Sequence, residues 1–161
     1  MGDITGVWTA EGWLYLAALE DLYSRRLVGW AMSGVRDERL VEAALWMALI
    51  GRQPAGNLLH YSHRGSQYTS RSYKAVLEHY GIELSMSRKG NCWDNAVMES
   101  FFGTLKAECT DRRSFVSRQE AKTVMFEYME VFYNRQRLHS SLGYVSPEKF
   151  EKQAEADLLV F

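Results

Sequence analysis

The chain lacks the features that would place it in a specialised class. Its 161 residues include two cysteines, Cys92 and Cys109, with neither a metal-ligand spacing nor a disulfide framework. A reduced cytosolic compartment is the resulting expectation. No apolar run approaches the roughly 20 residues that span a bilayer. Asp3 also stands where a secretory leader would be basic and then apolar, so the reading is a soluble, unexported protein with no membrane partner. The formal charge is only −1, so no globally basic surface announces a nucleic-acid partner. Repeats, low-complexity tracts and linkers are missing as well. That leaves one domain over residues 1–152, with a C-terminal tail over 153–161.

In bulk the chain is ordinary for a globular domain, with 47% apolar and 24% charged residues. Its charge is distributed unevenly. Residues 60–92 carry five cations, Arg64, Arg71, Lys74, Arg88 and Lys89, against Glu78 and Glu83. Residues 1–50 hold seven acids against four basic side chains. A solvated face of scattered charge explains this by itself. The cations gain meaning only because they flank the motifs described next.

Apolar periodicity lays out the elements. Trp13–Leu19 and Arg26–Met32 read as strands joined by a turn at Asp21–Ser24, and Asp3–Val7 reads as an earlier short strand. Leu40, Ala43, Ala44, Met47 and Ala48 repeat at helical spacing over 38–51. Asn57–His60 is a short buried strand, Tyr73–Tyr80 a helix stopped by Gly81, and Ile82–Ser85 a further strand. The stretch from Trp93 to about Cys109 is helical, with Val97, Met98, Phe101, Phe102 and Leu105 as its apolar face. Ser117 and Glu120 form a capping box that opens a long helix. Its expected stripe is Ala121, Val124, Met125, Tyr128, Val131 and Phe132. This order predicts an α/β fold, a mixed five-stranded sheet of a three-strand antiparallel meander plus parallel strands, flanked by helices.

The chemistry concentrates between Leu58 and Glu108. His60–Ser70 and Ser85–Lys106 combine small polar residues, glycines and cations with a helix that carries one acidic side chain, Glu99, among apolar ones. Breaking or joining phosphodiesters needs divalent ions that activate a nucleophile and stabilise the leaving oxygen. Magnesium takes hard oxygen ligands, hence carboxylates gathered from distant positions. The candidates are Asp3, Glu99 and the residue ending the fourth strand, which is His63. Residues 64–98 lie between His63 and Glu99.

These motifs resemble bacterial insertion-sequence transposases of the DDE type, with a retroviral-integrase-like catalytic core. The resemblance rests on Asp3-Ile-Thr, Asp21-Leu-Tyr-Ser-Arg-Arg, Ser62-His-Arg-Gly-Ser-Gln-Tyr, Ser87–Ala96, Glu99-Ser-Phe-Phe and Tyr133–Pro147. It implies an RNase H-like fold and a metal triad of acids on the first strand, after the fourth strand, and on a following helix. Asp3 matches the first acid and Glu99 the third, at the family's spacing, with Mg2+ or Mn2+ as the implied cofactor. The implied activity is metal-dependent DNA cleavage and strand transfer. The implied partners are DNA (element ends and target), further copies of the chain, and an upstream DNA-binding segment or subunit. A nucleoid-associated cytoplasmic protein follows.

His63 departs from that pattern, because the family places its second acid there. Imidazole favours zinc, copper or nickel over magnesium, and it removes a negative charge from the site. An impaired copy is therefore expected. The alternatives are an inactive, N-terminally truncated remnant that only folds, oligomerises or binds DNA, and an RNase H-type nuclease. Arg64, Ser66, Gln67 and Tyr68, with Ser87, Arg88, Lys89 and Asn91, are candidate DNA contacts. Asn95 and Lys106 join them on the helix face of Glu99. Loop solvation competes for the loop residues and core packing for Tyr68. Asp21 and Asp94 read as turn and cap groups, and His60, His79 and His139 as structural histidines.

Overall fold

The computed structural model describes residues 1–63, 65–86 and 96–158. Three antiparallel strands come first: β1 (Gly2–Thr9), β2 (Gly12–Glu20) and β3 (Leu27–Ser33). Helix α1 (Glu38–Arg52) leads to β4 (Leu58–Ser62), α2 (Arg71–His79) and β5 (Ile82–Met86). Helices α3 (Ala96–Leu105), α4 (Arg118–Phe126) and α5 (Pro147–Leu158) complete the chain. The sheet order is β3-β2-β1-β4-β5, with β1 and β4 parallel and β4 and β5 parallel. This is the mixed sheet that the element order predicts.

Side-chain alternation divides the core into two layers, one on each sheet face. Ile4, Ala17 and Leu19 meet Leu40, Val41, Leu45, Tyr73 and Leu77 from α1 and α2. Val7, Leu14, Leu16 and Ala18 meet Met98, Phe101, Leu105 and Met125 from α3 and α4. Helix α1 lies very close to β3 at Gly29, where an added Cβ would fall 2.2 Å from the Ala44 carbonyl oxygen. Only glycine permits that approach.

Local chemistry sets the helix starts. The Asp37 carboxylate accepts from the Leu40 N–H at 3.2 Å, and the Ser70 hydroxyl from the Tyr73 N–H at 3.2 Å. Ser117 accepts from the Glu120 N–H at 3.1 Å while Glu120 accepts from the Val116 N–H at 2.8 Å. The reciprocal capping pattern is thus present, with its second bond one residue further out than in the usual box.

The long last helix departs from the expected stripe. Val131 and Phe132 are 44% and 39% exposed, whereas Met129 and Tyr133 are buried. The cause is a π-helical run over Glu127–Tyr133. Each residue of such a run turns less than in an α-helix, so the buried face shifts phase after Phe126. A second π-helical run, Lys106–Thr110, continues α3.

The motif from Tyr133 to Pro147 ties the helical layer to the sheet. Buried Asn134 donates from Nδ2 to the Leu27 carbonyl at 3.0 Å and accepts from the Leu27 N–H at 2.9 Å. Arg137 makes a forked contact to Glu108, which also accepts from the Tyr128 hydroxyl at 2.7 Å.

Candidate active site

The sheet register brings the first and second expected positions together. Gly2 pairs with Ser62 across the parallel β1–β4 contact, so Asp3 and His63 follow one another on neighbouring strands. Asp3 pairs with Ala18, whose side chain packs in the layer beneath α3 and α4. Directly paired residues point to the same face, so Asp3 faces the layer that contains α3. Its Oδ1 accepts from the Ile4 N–H at 2.8 Å. Helix α3 packs against β1 and carries exposed Glu99 in its first turn. His63 is exposed just beyond the buried end of β4, and its carbonyl accepts from the Gly65 N–H at 2.8 Å.

The donor set suits a divalent cation at two of its three positions. Asp3 and Glu99 offer carboxylate oxygens, as a hard cation requires, while His63 offers nitrogen, which magnesium accepts poorly. Among the described residues, no three His, Cys, Asp or Glu side chains converge as a metal cluster.

The candidate DNA contacts divide three ways. Ser66 is exposed and Gln67 half-buried in a 3-10 turn over Ser66–Thr69, where the Gln67 amide donates to the Arg36 carbonyl at 3.4 Å. Lys106 is half-buried at the start of the π-helical run that follows α3. Tyr68 needs correction. Its ring is 2% exposed and packs edge-on against Tyr73 at 5.4 Å, so it serves the core and cannot reach a DNA backbone. Burial also holds its phenol well above the usual range. Arg64, Ser87, Arg88, Lys89, Asn91 and Asn95 lie outside the described residues.

Sequence reasoning missed Glu20. It ends β2 at 2% exposure and lines a polar cleft of about 390 Å³ with Arg25, Ser100, Thr104, Arg137 and His139. Burial pushes its carboxyl up to about 7, against the opposing pull of Arg25 at 3.6 Å. Its Oε2 and the His139 Nε2 are buried with no hydrogen-bond partner among the described residues. Burial, reinforced by the Arg137 charge, lowers His139 to about 4. The available signal was an acid ending an otherwise apolar run, Leu14 to Leu19.

Of the histidines read as structural, His60 and His139 are buried, whereas His79 is exposed near the end of α2. His60 is buried and its Nε2 lies 2.9 Å from the Tyr73 hydroxyl. Asp21 accepts from the Tyr23 N–H at 2.8 Å, which makes it a turn residue.

A mixed sheet in this order, with helices on both faces, defines an RNase H-like fold, and the solved structures it resembles are retroviral integrase cores. A chain of the simian T-cell lymphotropic virus intasome in complex with the PP2A regulatory subunit B56 gamma superposes with a TM-score of 0.74 at 15% identity. That match covers 92% of this chain and 52% of the other. The HTLV-2 integrase catalytic core domain in complex with magnesium, in its trimeric form, gives 0.66 at 12% identity and covers 92% of each chain. Identities this low speak for the fold alone.

The chain belongs to the integrase core domain family, whose models match residues 1–92 and 80–147. It is 49% identical over 153 residues to the insertion element IS600 uncharacterized 31 kDa protein of Shigella sonnei, covering 95% of this chain and 56% of that protein. It is 47% identical over 152 residues to transposase InsF for insertion sequence IS3fB of Escherichia coli, covering 94% and 53%. The transposase for insertion sequence element IS904 of Lactococcus lactis is 45% identical over 152 residues, covering 94% and 60%. The chain therefore spans little more than half the length of these curated relatives. No helix among the described residues is long and apolar enough to cross a membrane.

Proposed function

We propose that this chain is the catalytic core of an insertion-sequence transposase, and that His63 leaves its DNA cleavage and strand transfer impaired. The observation that carries this reading is the pairing of Gly2 with Ser62. It sets an acid on β1 beside position 63, on the sheet face against which α3 packs. In this reading Asp3 and Glu99 hold Mg2+ or Mn2+, and position 63 completes the site poorly. When bound, the ion supplies activation of the attacking oxygen and stabilisation of the leaving one. Ser66, Gln67 and Lys106, with Arg64, Ser87, Arg88, Lys89, Asn91 and Asn95, position the DNA backbone without reading its sequence.

DNA ends and a target strand are the proposed substrates, in the nucleoid-associated cytoplasm, with further copies of the chain holding two ends together. Residues 1–152 form the working core in this proposal, and 153–161 are dispensable. The second reading, an inactive remnant that only folds, oligomerises or binds DNA, draws on the lack of a converging three-ligand cluster among the described residues.

One substitution separates the two. His63→Asp is expected to tighten magnesium in calorimetric titration by about tenfold or more, equivalent to ~1.4 kcal/mol. It should also raise strand transfer on labelled element-end DNA. Wild-type protein that already joins DNA with magnesium as well as the variant does would refute the impaired reading. Tightened magnesium with no joining by the variant would favour the remnant.

A further inference from the structure

The cleft that holds Glu20 has an inner wall and a rim of different chemistry. Four of its lining residues are buried, Glu20, Phe101, Tyr133 and His139. Three of these are rings in contact. Phe101 and Tyr133 pack edge-on at 5.0 Å, and Tyr133 and His139 edge-on at 4.8 Å. The rim is polar, with Arg25 and Arg137 half-buried and Ser100, Ser140 and Ser141 exposed. Ser100 belongs to α3, so the cleft borders the turn of that helix that carries Glu99.

Two buried polar atoms of the lining residues lack a partner among the described residues, Glu20 Oε2 and His139 Nε2. The His139 ring donates to the Tyr133 backbone. Nε2 does not make that bond, so it is an acceptor on a neutral ring. An ionised Glu20 is an acceptor as well. Both guanidiniums already have carboxylate partners, Arg25 with Glu20 at 3.6 Å and Arg137 with Glu108 at 3.0 Å. The lining therefore carries little excess charge to hold a free anion. It suits a flat, neutral ligand with N–H donors on one edge and an acceptor beside them, and a volume of about 390 Å³ leaves room for one heterocycle.

We propose that this cleft seats one unpaired guanine of the DNA strand, with the base inward and its phosphate at the rim. The N1–H and N2 amino group of guanine donate to the Glu20 carboxylate, and the second amino hydrogen turns toward His139 Nε2. The guanine O6, an acceptor, lies toward Arg25. Phe101 and Tyr133 supply the aromatic contact on which unstacked bases settle, and the Ser140 and Ser141 hydroxyls meet the phosphate. The base must be unpaired, because in a duplex its partner occupies the same edge. That the strand is DNA rests on the transposase reading above. The cleft then fixes the identity of a nucleotide beside the phosphate that Glu99 faces.

NMR titration of the full chain with the single-stranded trinucleotide d(TGT), at pH 8 and without metal, tests this. That pH lies above the Glu20 value of about 7, so the carboxyl is ionised. The strand is expected to shift the amides of Ser100 and Thr104 and the His139 ring. A strand with inosine at the centre, which lacks the N2 amino group, should bind about tenfold more weakly, and so should d(TTT). Glu20→Gln replaces one acceptor with a donor at nearly constant shape, and should weaken d(TGT) about tenfold while leaving d(TTT) unchanged. Equal affinity for the three strands, or no shift at millimolar d(TGT), would overturn the proposal. Inorganic phosphate producing the same shifts as d(TGT) would make the cleft an anion site and overturn it too. The measurement involves neither metal nor joining, so its failure leaves the strand-transfer reading standing, and a protein inert in joining can still select guanine.

Discussion

Glu20→Gln should stabilise the protein at pH 8 much more than at pH 4. Burial raises the Glu20 carboxyl from its ordinary 4.5 to about 7 in the folded state, against the pull of Arg25. The folded protein therefore binds this proton more tightly than the unfolded chain does. Stability from that preference is fully present below 4.5 and is lost as pH rises through 7. At ~1.4 kcal/mol per pH unit, the loss by pH 8 is ~3 kcal/mol. The 3.6 Å pair with Arg25 is already contained in that figure, because it lowers the same pKa.

Glutamine has nearly the shape of the protonated acid and does not titrate. At pH 4 the two proteins differ only by small packing terms, whereas at pH 8 the variant escapes the desolvation of a buried carboxylate. Taking the difference between the two pH values cancels the packing terms. For a domain of this size, ~3 kcal/mol corresponds to roughly 6–12 °C in melting temperature. Urea unfolding of both proteins from pH 4 to 8 measures the effect directly. Parallel stability curves, with no extra gain for the variant above pH 7, would refute the claim that Glu20 is buried at a cost in its charged form.

Other outcomes follow from single contacts. Asn134→Ala removes both side-chain bonds to the Leu27 peptide and leaves its buried N–H and carbonyl unpaired. The expected cost is about 3 kcal/mol in denaturant unfolding, and a loss below ~1 kcal/mol would contradict the anchoring role. Gly29→Ala drives a methyl against the Ala44 carbonyl and Ala48, so a loss of ~1–3 kcal/mol is expected in the same assay. His60 falls to about 3, first because it is buried and second because of the Met1 ammonium. It therefore stays neutral when folded, and its contribution is lost as pH falls from 6.5 towards 3. NMR titration should show its ring still unprotonated at pH 4, and a midpoint near 6.5 would contradict its burial.

The sequence by itself determined the element order, the helix starts and the family, because these are local. Strand alternation, helical spacing and capping groups such as Ser117 with Glu120 act over a few residues, and the motifs keep their order whatever surrounds them. In the proposed site, residue identity alone also makes position 63 a nitrogen-bearing side chain where Asp3 and Glu99 carry oxygens. Only the tertiary structure decided what depends on neighbours far along the chain. The π-helical run rotated Met129 and Tyr133 inward in place of Val131 and Phe132. Packing against Tyr73 removed Tyr68 from the surface. Burial gave Glu20 its unusual proton affinity, and the Gly2–Ser62 register set Asp3 beside position 63. Those outcomes come from how sheet and helices close on one another, and hydrophobic periodicity carries no information about where that closure leaves a gap or buries a charge.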